Sequence, residues 1–168
     1  MKAFRLLFGL ALAALGTLGL GAASVPFPPD LFLLSVGDAA RGGAFFRAML
    51  AGLLAGLLED LLRTPPRLLG LHAFGKILIG YLFAAAAARF VAEKPSSFGA
   101  LVAGAVVVES LVLSTLLTVF RGEPFVLPGA LSLVARAVAT GLAGVALQAL
   151  TKFPWKVYLA GRRRRRLG

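Results

Sequence analysis

The sequence predicts an all-α polytopic membrane protein, with about six transmembrane helices in one compact bundle. Three observations carry this prediction. Hydrophobic residues make up 59% of the 168 residues and the mean hydropathy is +0.89, too apolar for a soluble domain of this size. The apolar residues fall in long runs, most of them near the ~20 residues that a helix needs to cross a bilayer. The basic residues fall unevenly between alternate connections, as the positive-inside rule requires.

The elements follow in order. The first run, Phe4–Ala23, ends before Pro26, Pro28 and Pro29, which favour an extended link. Lys2, Arg5 and the small residues Gly21-Ala22-Ala23 resemble a signal peptide. A retained helix accounts better for the charge distribution and is the expectation. Leu31–Ala40 is a short second span, ending near Asp38 and Arg41. Ala48–Leu62 is the third, closed by Arg63-Thr64-Pro65-Pro66-Arg67. Leu68–Phe90 is the fourth, followed by Glu93-Lys94-Pro95-Ser96-Ser97, read as a loop with a proline stop and serine caps. Phe98–Phe120 and Gly129–Leu150 are the fifth and sixth. The connections are short, so residues 1–160 read as a single transmembrane domain and residues 161–168 as a basic cytoplasmic tail.

The net charge of +11 takes its meaning from its distribution. Thirteen of the 18 Lys/Arg fall on one side of a six-span arrangement, three on the other, and Lys76 and Arg136 lie inside spans. This places both termini in the cytoplasm. The tail Arg162, Arg163, Arg164, Arg165 and Arg166, preceded by Trp155 and Tyr158, suits anionic lipid at a membrane interface or a topological stop. Nucleic-acid binding has no support beyond charge. The chain has no cysteine and a single histidine, which excludes thiolate chemistry and multi-histidine metal sites. No serine nucleophile has a base in a recognisable pattern, and no phosphate-binding glycine loop is present. No cofactor is expected, and the chain reads as a non-enzyme.

Within the spans, polar residues share a helix face with small ones. Every fourth residue gives Gly9, Ala13, Thr17 and Gly21; Ala48, Gly52, Gly56 and Asp60; His72, Lys76, Gly80, Ala84 and Ala88; and Arg136, Thr140, Gly144 and Gln148. Small residues let helices approach closely, so these faces should turn inward. Lys76, Glu109 and Arg136 fall at a similar depth, about 10–16 Å below the outer surface at 1.5 Å rise per residue. Charges at such depth are normally paired. Glu109 is the expected shared partner, with Arg136 preferred over Lys76 because a guanidinium can grip a carboxylate twice. The pairing could fix helix register or form a switch or ligand site. Asp60 could pair locally with Arg63 and Arg67, or tether the connection to the fourth span near His72.

Several segments then resemble one family. Pro29-Asp30-Leu31-Phe32-Leu33-Leu34 is similar to the opening of the second span in the rod shape-determining protein MreD family. Gly52-Leu53-Leu54-Ala55-Gly56, running on to Asp60-Leu61, resembles its glycine-spaced segment, and Leu69-Gly70-Leu71-His72-Ala73 with Gly80-Tyr81-Leu82 resembles the elements after it. The similarity runs from about Pro29 to Ala92. It carries over Asp60 and the glycines Gly52, Gly56, Gly70 and Gly80; Lys76 departs from the family pattern.

The resemblance implies a non-enzymatic subunit of the bacterial elongation machinery in the cytoplasmic (inner) membrane. Such a subunit acts in cell shape and peptidoglycan synthesis. It would bind MreC directly, and reach RodA, its penicillin-binding transpeptidase partner and MreB directly or through MreC. It also implies a fold similar to the substrate-binding subunits of vitamin transporters. Such a transporter subunit is the alternative reading, with a ligand cavity near the outer leaflet.

Overall fold

The computed structural model describes residues 2–41, 43–62, 70–89, 94–122 and 124–152. The described residues form six helices and no strand: α1 (Lys2–Ala22), α2 (Leu31–Ala40), α3 (Phe45–Leu62), α4 (Leu71–Arg89), α5 (Pro95–Arg121) and α6 (Ala130–Lys152). The arginine tail, Trp155, Tyr158, Arg63 and Arg67 lie outside the described residues. By length and composition, α4, α5 and α6 can cross a membrane. The apolar part of α1, Leu6–Ala22, is slightly shorter, and α2 is much shorter. α3 has 18 residues but carries Arg47, Glu59 and Asp60.

Local chemistry accounts for the helix ends. Asp30 caps α2, its Oδ1 accepting the Leu33 amide at 3.0 Å. α5 ends on Gly122 in the left-handed region (φ 63°), whose amide returns to Thr118 O. At the start of α5 the structure departs from the sequence reading. Pro95 opens the helix instead of stopping the chain before it, and Ser96 and Ser97 lie in its first turn. The first helical position needs no amide donor, so proline is well suited there.

α2 is the centre of the bundle. It touches all five other helices, and seven of its residues are buried, including Phe32, Leu33, Leu34 and Val36. Ten residues extend only about 15 Å, half the ~30 Å hydrocarbon thickness. α2 is therefore a core helix enclosed by longer ones.

α3 and α4 make the closest crossing. A Cβ on Gly52 would run into Lys76 O, one on Gly56 into the Ala73 backbone, and one on Gly80 would lie 2.5 Å from Ala48 O. The matched positions 48–80, 52–76 and 56–73 describe an antiparallel pair in backbone contact, which glycine alone permits. The inward faces read from the sequence hold for α3, where Ala48, Gly52, Gly56 and Asp60 are all buried. They also hold for α6, where Thr140 and Gln148 are buried. On α1 the face stops early: Ala13 is buried, Gly16 rather than Gly21 meets α2 through Leu31, and a Cβ on Gly21 would meet nothing.

Candidate functional site

The close α3–α4 crossing brings the charges of the spans to one end of the bundle. At 1.5 Å per residue, Lys76 lies about 8 Å from the start of α4 and Arg136 about 9 Å from the start of α6. Asp30 sits at the start of α2 and Glu59 in the last turn of α3. Glu109 reaches the cluster from deeper in α5.

Lys76 is the hub. Its Nζ donates to Glu109 Oε1 at 2.5 Å and to Asp30 Oδ2 at 3.2 Å, and Glu59 Oε2 lies 2.9 Å away. The Lys76 side chain is 0% exposed and the three carboxylates 2–3%. An ammonium has three protons to offer, and three carboxylates surround it. The second cation is Arg136, whose Nη2 donates to Asp30 Oδ2 at 2.9 Å. Its side chain is 28% exposed, so Arg136 is where the cluster nears the bundle surface. Asp30 is also held by its backbone: its amide donates to Thr140 Oγ1 at 3.0 Å, and that hydroxyl donates to Arg136 O at 2.7 Å. Three carboxylates against two cations leave a formal excess of one negative charge. Asp30 carries part of it at the amino end of α2, where the helix dipole favours an anion.

The five ionic groups come from the start of α2 and from α3, α4, α5 and α6. The sequence reading expected Glu109 to pair first with Arg136. In the structure Arg136 bonds Asp30, and Lys76 takes Glu109. The cause is the position of α2. Its capped amino end projects into the cluster and puts Asp30 against α6, where a reading of long spans placed no acid. Asp30 and Glu59 were missed as network members. The signal for Asp30 was present, since an aspartate after Pro28-Pro29 and before an apolar run is an N-cap pattern. Glu59 had none beyond its neighbour Asp60.

The carboxylates of Asp30, Glu59 and Glu109 lie within 4.8 Å of one another, close enough to hold a cation. The Lys76 ammonium occupies that position. A buried ion cluster adds little net stability over apolar side chains of the same volume. It does penalise any packing that separates its members, so the arrangement fixes helix register.

Asp60 forms a separate joint. Its Oδ2 accepts the Gly70 amide at 2.8 Å, and its Oδ1 accepts the His72 amide at 3.3 Å. His72 Nδ1 lies 2.6 Å from the same Oδ1. A carboxylate can only accept, so Nδ1 carries the proton. Gly70 adopts φ +100°, a conformation open to glycine. Asp60 thus ties the end of α3 to the beginning of α4.

Long apolar helices around a largely buried ionic core define a polytopic helical membrane protein with an internal lock. The family model described as rod shape-determining protein MreD matches residues 6–128. The chain belongs to this family of rod shape-determining membrane proteins. No curated protein and no solved structure matches it, so the expected likeness to vitamin-transporter subunits is without support.

Proposed function

We propose that the chain is a non-enzymatic subunit of the bacterial elongation complex that binds MreC in the cytoplasmic membrane. The family membership carries this reading. The complex would act in cell-shape control and peptidoglycan synthesis, with RodA, its transpeptidase partner and MreB reached directly or through MreC. Both termini would lie in the cytoplasm, on the side with most of the Lys and Arg.

The architecture supports a scaffold role. The ionic groups are turned inward and hold five helices in one register. Large apolar side chains such as Leu131 and Leu142 on α6 and Leu15 on α1 stay exposed for lipid and a partner helix.

Co-purification of the tagged chain with MreC from the same organism tests the proposal. Stoichiometric recovery is expected. A folded, monodisperse chain that recovers no MreC would overturn it.

A further inference from the structure

A groove of about 650 Å³ runs along α2 between α1 and α6. These two helices flank α2 without touching each other among the described residues. Leu31 and Leu34 form the floor, Leu6 and Leu12 one wall, and Leu147 the other. Arg41, Arg47 and Asp38 stand at one end. We propose that this groove seats one acyl chain of an anionic phospholipid, with the phosphate at Arg41 and Arg47.

Length and charge argue for this occupant. From Arg41 to Leu31 the groove follows the ten residues of α2, about 15 Å, the depth of one leaflet's share of the ~30 Å core.

At the basic end, two guanidinium groups stand against one carboxylate. Arg41 Nε lies 3.2 Å from Asp38 Oδ1, and the Arg41 side chain is 28% exposed. Its guanidinium stacks 4.8 Å over the Phe98 ring, and among the described residues its Nη2 has no hydrogen-bond partner. Arg47 spends Nε on Ala39 O at 2.8 Å and Nη2 on Arg41 O at 3.0 Å, which holds its charge beside Arg41. Among the described residues this guanidinium pair has one carboxylate, and a phosphate is the group it accepts best.

Native mass spectrometry of the full chain in detergent tests this, with phosphatidylglycerol and phosphatidylcholine of identical acyl chains. One phosphatidylglycerol should be retained about tenfold more tightly than phosphatidylcholine. Arg41→Gln should bring the ratio near one. Leu147→Trp, on a wall position 37% exposed, should weaken both lipids at unchanged melting temperature. The preference should survive removal of residues 161–168, which separates the groove from the arginine tail. Equal retention of the two lipids by the unaltered chain would overturn the proposal. So would a preference that disappears with the tail and survives Arg41→Gln, or displacement of the lipid by bound MreC, which would assign the groove to a protein helix.

Discussion

Replacing Lys76 by methionine removes the centre of the ionic cluster while keeping most of the side-chain volume. Three carboxylates, each 2–3% exposed, would then face one another with Arg136 as the remaining cation. Removing one member of a buried pair costs about 3–5 kcal/mol, because the other is left uncompensated. Lys76 faces all three acids at once, which puts Lys76→Met at the upper end of that range. For a chain of this size, about 2–4 °C of melting temperature corresponds to each kcal/mol, so the midpoint should fall by roughly 10–20 °C. Fluorescence-detected size exclusion of heated, detergent-solubilised protein reads this directly. Arg136→Met should cost clearly less, since that side chain is partly exposed and contacts one acid. Adding Glu109→Gln to Lys76→Met should restore part of the loss by removing one orphaned charge. A monodisperse Lys76→Met protein melting within about 2 °C of the parent would refute the reasoning, because the cluster would then cost nothing to break.

Three further outcomes follow from the packing and caps. Gly56→Ala should lower the melting temperature sharply, since its Cβ would meet the Ala73 backbone, whereas Gly104→Ala, which meets nothing within 4 Å, should be neutral or gain up to ~1 kcal/mol of helix propensity; equal effects in the same thermal assay would remove the close-crossing argument. Asp60→Asn should lower stability by about 1–3 kcal/mol through weakened contacts to Gly70 and His72. If Asp60→Asn melts normally yet loses MreC in the pull-down, Asp60 is a docking residue and not a joint. Asp30→Ala should cost about 1 kcal/mol more than Asp30→Asn, because asparagine keeps the cap on α2 and alanine does not; equal midpoints for the two variants would argue against the cap.

Much of the site's composition was legible before its geometry. Lys76, Glu109 and Arg136 stood out because charges inside apolar runs are costly and need partners. Gly52, Gly56 and Gly80 stood out by their spacing along a helix face. The partners themselves were not legible. Asp30 and Arg136 are 106 residues apart, and Asp30 and Lys76 are 46 apart. No local pattern encodes which of two cations a distant acid will meet. That depends on how far each helix slides against the next.

Hydropathy alone determined that this is a helical membrane protein. In hydrocarbon every backbone amide must be satisfied within its own segment, which makes a run of apolar residues a helix almost without alternatives. The glycine spacing likewise marked out a face of close approach. Only the tertiary structure decided that α2 is a buried core helix in contact with all five others. Ten apolar residues look the same to a hydropathy scale whether lipid or other helices surround them. Once α2 sits at the centre, its capped amino end brings Asp30 between Lys76 and Arg136. The identity of every ion pair then follows from distance, which periodicity within single helices cannot supply.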